Sequence, residues 1–212
     1  MSGPIVYAVE TLQTYLDDAG SGKPAPGGGS VSACVGALGA ALVAMVCNLT
    51  IGKEKFADVE GEVKDLVAKA DAVRDRLEKL LQDDTVAYNG VIAAYRMPKD
   101  TEEEKAARHK AVQDGLIVAA NVPLDICREA LEVCRLGRTA ARIGNPAAIT
   151  DAGIAAILGE AAAQGGALNV AINLGSIEDT VYVEQTRAEI GEILSEAVAQ
   201  RQEVVNFTYT KV

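Results

Sequence analysis

The chain has no tryptophan, only two phenylalanines and one histidine, His109. A core without large aromatics has to be built from Ala, Val, Leu and Ile. Apolar residues make up 49% of the sequence, which suits closely packed helices. Cys34, Cys47, Cys127 and Cys134 include no CxxC pair. With a single histidine beside them, ligand spacing argues against a Cys/His zinc site, and the thiols read as reduced and buried. His109 lies between Arg108 and Lys110 in a charged turn and reads as surface. Basic residues are also in deficit, 20 against 30 acidic ones, a net charge of −10. That argues against nucleic acid, whose phosphates need a basic surface, but leaves room for a small anionic ligand. The opening MSGPIVYAVE lacks the basic stretch of a signal peptide.

Charge is absent altogether between Lys23 and Lys53. This stretch begins Pro-Ala-Pro-Gly-Gly-Gly-Ser and continues with small and apolar residues. Ser32, Gly36, Ala40, Ala44 and Asn48 recur four apart, so they share one face of a helix with almost no side-chain bulk. The run is long enough to span a membrane. It is rich in Gly and Ala, however, with no aromatic or basic girdle, so a buried helix in a cytoplasmic protein, with no membrane partner, is expected. Gly27, Gly28, Gly29 and Ser30 precede or open that helix, where unpaired N–H groups form a ready anion cradle. No Lys-Ser or Lys-Thr follows the glycines, so this is not a Walker loop.

The rest of the pattern is helical. Val6 to Asp17 reads as a short amphipathic helix with Leu12 and Leu16 on one face, and Gly20 to Gly27 as a loop. The uncharged helix runs from about Gly28 to Thr50 and ends at Gly52. From Val59 to Tyr95, Val63, Leu66, Val67, Ala70, Val73, Leu77, Leu80 and Leu81 recur at three- and four-residue steps. A next helix starts in the acids after Thr101 and runs to Leu136, closed by Gly137, with a kink or break expected at Pro123. Thr150 is a candidate N-cap for a second nearly uncharged helix, Asp151 to Leu174. A polar amphipathic helix follows over Asp179 to Val204, and Val204 to Val212 carries the one hint of strand alternation. The expectation is a single all-α domain over residues 1–212. It is a bundle of long helices around two buried small-residue helices, its excess length covered by a second copy in an isologous homodimer.

Three groups of side chains carry candidate chemistry. Asp84 sits mid-helix, where Asp has poor propensity, with Tyr88 one turn on. It is either a solvated acidic turn or an oriented carboxylate that moves protons. Asn48, Asn145, Asn169 and Asn173 need partners wherever they are buried, and serve either helix-to-helix bonding or the reading of a flat heterocycle. Lys53 and Lys99 stand out among the cations because each lies at a helix boundary, and Arg108 joins them as a candidate anion contact.

Three stretches, PAPGGGSVSACVGALGAALVAMVCNLTIGKEKF, DDTVAYNGVIAAYRMPKDTEEEKAARH and GNPAAITDAGIAAILGEAAAQGGALNVAINLGSIED, together resemble the cyclodeaminase/cyclohydrolase family. That family includes the C-terminal domain of formiminotransferase-cyclodeaminase and stand-alone methenyltetrahydrofolate cyclohydrolases. The resemblance covers nearly the whole chain. It implies an all-helical homodimer acting on a tetrahydrofolate derivative, with no metal and no other cofactor. Gly27, Gly28, Gly29 and Ser30 match the family's glycine block. Asn48, Lys53, Asp84, Tyr88, Lys99, Arg108, Asn145, Asp151, Asn169 and Asn173 match its recurrent polar positions. On this resemblance Asp84 is the first choice for the proton-moving carboxylate, Asp151 the second, and Lys53 an assistant. The asparagines would read the pterin, and the glycine loop or Lys99 and Arg108 would hold the glutamate tail. Cyclohydrolase, cyclodeaminase and non-catalytic folate binder all remain open at this point.

Overall fold

The computed structural model describes residues 5–212, and among them every regular element is helical. A short 3-10 turn at Tyr7–Val9 leads into α1 (Leu12–Ala19). Then come α2 (Gly28–Asn48), α3 (Glu60–Tyr95), α4 (Glu102–Ile143), α5 (Ile149–Leu174) and α6 (Thr180–Tyr209).

The apolar spacing of α3 does what periodicity requires. Val63, Leu66, Ala70, Val73, Leu77 and Leu81 are all buried on one stripe. Leu77 and Ile126 are fully buried, and each such side chain removed from water contributes about 1.5–3 kcal/mol. α2 lies at the centre, packed on α3, α4 and α5, while α5 in turn packs on α4 and α6. Small residues set these distances. A Cβ at Gly39 would meet Val133 Cγ1 at 2.9 Å, and one at Gly166 would meet Cys127 Sγ at 2.7 Å. α2 and α5 are long and apolar enough to cross a membrane by length and composition, but much of each is spent on neighbouring helices.

Helix directions follow from the contacts. Gly36 faces Leu77 and Ala162, whereas Gly28 faces Asn169 and Gly29 faces Asp84. α2 therefore runs antiparallel to both α3 and α5. α4 and α6 run parallel, tied by Arg128–Glu189, Arg135–Glu196 and Arg142–Glu203, three exposed ion pairs one heptad apart. The N-terminus of α2 thus shares one end of the bundle with the C-terminal part of α3, the start of α4 and the C-terminus of α5.

Several boundaries differ from the sequence expectation, each for a local reason. The face of α1 that carries Leu12 and Leu16 is exposed, and Tyr15 is the buried residue, stacked edge-on against Tyr7 at 5.5 Å. α4 passes straight through Gly137, whose missing side chain admits the Ala152 carbonyl and Ala156 of α5. Pro123 sits inside the same continuous helix rather than breaking it. Thr150 lies inside α5 rather than capping it: α5 follows a 3-10 turn, Pro146–Ala148, whose cap is Asn145, its Oδ1 accepting from Ala147 N–H. The last segment continues as helix to Tyr209, with Val204 and Thr208 buried one turn apart, so Val204 to Val212 is not a strand. The capping box at Thr101 and Glu104 forms as the acidic start of α4 suggests.

Candidate functional site

The N-cap of α2 is Gly27, which has no side chain to accept from the first turn. Asp84 of α3 accepts in its place, since Ser30 N–H donates to its Oδ2 at 3.0 Å. The positive end of α2 favours an anion there. This approach is possible only because Gly29 lacks a Cβ, which would overlap the Asp84 carboxylate. Burial raises the Asp84 pKa above the ordinary carboxylate value, and the Ser30 N–H only partly offsets it. Among the described residues, the N–H groups of Gly28 and Gly29 have no acceptor.

Ser30 is braced from behind. Its hydroxyl shares a buried 2.9 Å hydrogen bond with Tyr15 Oη, and burial pushes the Tyr15 phenol up to about 12, so it stays protonated. The sequence pattern does not single out Tyr15, because Ser30, fifteen residues on, meets it only in the folded chain.

In front of Asp84 opens a cleft of about 350 Å³, bounded by Gly27, Gly28, Asp84, Tyr88, Asn169 and Asn173. This size suits one ring system of a small ligand. Ala87, Val91 and Ile172 supply apolar wall, and Tyr88 is 40% exposed at the mouth. Asn169 Nδ2 donates to Gly165 O at 2.8 Å, leaving its oxygen without a donor among the described residues. Asn173 Nδ2 donates both to Asn169 O and to Ala119 O of α4, each at 2.9 Å.

The remaining sequence candidates lie elsewhere. Lys99 is exposed in the α3–α4 turn. Arg108 donates to Tyr95 O at 3.1 Å and stacks on the Tyr95 ring. Tyr95 is seven residues beyond Tyr88, about 10 Å along α3. Both cations thus belong to the cleft end of the bundle without lining the cleft.

Asn48, Lys53, Asn145 and Asp151 occupy the opposite end, about 30 Å away along α2. Within a single chain these four therefore do not line the cleft. Asn48 and Lys53 are exposed, and Asp151 is half-buried in the first turn of α5. Asn145 is buried and spent on structure, giving its N–H to Thr50 Oγ1 at 2.8 Å and its Nδ2 to Leu49 O at 3.1 Å. His109 is exposed and bonded to Glu178, and the four cysteines are free thiols. Among the described residues no three His, Cys, Asp or Glu side chains gather as a metal-binding group.

Residues 11–192 match the formiminotransferase-cyclodeaminase family. Over 96% of its length the chain is 41% identical to a methenyltetrahydrofolate cyclohydrolase from Methylorubrum extorquens, covering 98% of that protein. It is 35% identical to the formimidoyltransferase-cyclodeaminase of Rattus norvegicus over 94% of this chain, which spans only 37% of the rat protein. The crystal structure of a formiminotetrahydrofolate cyclodeaminase from Thermotoga maritima superposes with a TM-score of 0.80 at 31% identity, covering 97% of this chain and 96% of that one.

Proposed function

Since the chain belongs to the formiminotransferase-cyclodeaminase family, we propose that it is a methenyltetrahydrofolate cyclohydrolase, turning 5,10-methenyltetrahydrofolate and water into 10-formyltetrahydrofolate. The observation that carries this reading is the half-buried Asp84 carboxylate, held at the head of α2 beside two amide N–H groups with no acceptor. The match to a cyclohydrolase along nearly the whole of both chains favours this reaction over its sister.

The substrate carbon between N5 and N10 is already a cationic amidinium, so the chemistry asked of the protein is modest. Asp84 attracts that cation and takes one proton from water as the water oxygen bonds to the carbon. The tetrahedral adduct loses its bond to N5, the carbonyl forms on N10, and the hydroxyl proton passes to N5. The N–H groups of Gly28 and Gly29 serve the oxygen as its charge develops. Water and substrate are the only reactants this scheme uses. Tyr88 and the apolar wall hold the ring, the Asn169 and Asn173 oxygens accept from its donor edge, and Lys99 with Arg108 meet the glutamate tail at the rim.

The solved relative supports a second reading, formimidoyltetrahydrofolate cyclodeaminase, in which N10 attacks the formimino carbon and ammonia leaves. Both reactions pass through a tetrahedral carbon between the same nitrogens. Assaying the purified protein with each substrate, by methenyl absorbance and by ammonia release, separates them.

The same reading makes the protein a cytoplasmic homodimer. Leu38 and Met45 of α2 and Ile157, Leu168 and Ile172 of α5 are exposed along the length of adjacent helices. Two copies meeting there about a two-fold perpendicular to the helices bring the Lys53 end of one beside the Asp84 end of the other. Sedimentation at several concentrations tests the pairing, and a monomer at micromolar concentration refutes it.

A further inference from the structure

Pro123 lies inside α4 and has no N–H, so the carbonyl four residues earlier, Ala119, loses its helix partner. A carbonyl left bare in a packed helix is costly, and a donor from elsewhere is expected. The structure supplies one: Asn173 Nδ2, from α5, at 2.9 Å. The same nitrogen gives its second hydrogen to Asn169 O. Both contacts are to carbonyl oxygens, so the amide orientation is fixed by chemistry: only the nitrogen can donate to them. The Asn173 amide therefore has no donor left to offer. Its oxygen has no partner among the described residues, and both Asn173 and Ala119 border the cleft.

We infer that Pro123 is a positioning residue for the candidate site: by leaving the Ala119 carbonyl bare it pins the Asn173 amide, so that Asn173 offers the cleft an acceptor only. Resting on the folate reading above, this assigns Asn173 to a ring N–H or exocyclic amine of the substrate and excludes it from reading a ring carbonyl. The helix carries a proline where an unbroken hydrogen-bond ladder would be more stable, and the return is a polar side chain of fixed polarity.

The test is Pro123→Ala. It restores an N–H four residues beyond Ala119, which competes with Asn173 for that carbonyl. Two measurements read the consequence. First, nuclear magnetic resonance follows the exchange of the Asn173 side-chain NH2 protons without needing any ligand. In the parent protein both protons should be protected, and in Pro123→Ala at least one should exchange on the order of tenfold faster. Second, KM for 5,10-methenyltetrahydrofolate should rise roughly tenfold with kcat within about threefold, the pattern of lost uniform binding. The melting temperature should hold or rise, since Ala suits a helix better than Pro. A purely structural proline would move the melting temperature and leave both readouts alone. Unchanged NH2 exchange in Pro123→Ala overturns the inference whatever the protein's activity, and unchanged KM with altered exchange overturns the assignment of Asn173 to substrate. A parent protein that turns over neither folate substrate refutes the functional reading instead, and the exchange measurement still decides whether Pro123 pins Asn173.

Discussion

The two ends of α2 present the same residue types to opposite fates. At its C-terminus, Thr50 donates to Val46 O and Asn145 N–H donates to Thr50 Oγ1, while the Asn145 amide spends its nitrogen on Leu49 O and its oxygen on Ala147 N–H. Every polar group named there is consumed by backbone. At its N-terminus, Asp84 accepts one N–H from Ser30, while among the described residues the Gly28 N–H and two asparagine oxygens stay without partners around a cleft. A helix end closed on itself is a piece of architecture, whereas one left partly open holds charge and hydrogen-bonding capacity in reserve for a ligand.

The contrast can be broken from either side. Among changes that leave Asp84 itself in place, the largest effect should come from Gly29→Ala. Alanine favours the helix, yet its Cβ forces the Asp84 carboxylate aside. Turnover should fall on the order of 10²-fold, the size of effect known for a small misplacement of a reacting group, with circular dichroism unchanged. At the closed end Asn145→Ala should do the reverse. It strips a buried hydrogen-bond network and should cost about 1–3 kcal/mol, near 2–4 °C of melting temperature per kcal/mol, with kcat/KM unchanged in the folded fraction.

Lys53 sharpens the comparison, because it sits at the closed end yet the family resemblance implies a role for it at the site. Mixing Lys53→Met with Asp84→Asn protein should restore about a quarter of parental activity through hybrid dimers with one intact site, if the two ends meet across the pair. No recovery, with each variant inactive alone, breaks the proposed pairing. The smallest effect concerns pH. Burial raises the Asp84 pKa, so the fold prefers the protonated acid. That contribution to stability is complete below the ordinary Asp value and is lost as pH rises through the raised one. The melting temperature of the parent minus that of Asp84→Asn should therefore decline across that window, and a difference that grows with pH contradicts the assignment.

Much of this division was legible in the sequence. The three-and-four spacing of α3 and the chargeless run of α2 placed those helices, and Gly27–Ser30, Asp84, Tyr88, Asn169 and Asn173 do gather at one end of the bundle. The far-end candidates did not join them, because residue type alone does not say which end of a long helix a side chain serves. Gly137 reads as a helix stop in sequence, but close packing on α5 keeps it helical. Pro123 reads as a break because sequence shows the missing N–H, whereas the compensating amide on α5 emerges only in three dimensions.

The central claim is that Asp84 at the open end of α2 moves the proton. The direct measurement is the kcat of Asp84→Asn on 5,10-methenyltetrahydrofolate, followed by loss of the methenyl absorbance over a range of pH. The account predicts a loss on the order of 10²–10⁴-fold, with the melting temperature retained and the acid limb of the parental pH profile abolished. A variant with parental kcat and the same acid limb would contradict it.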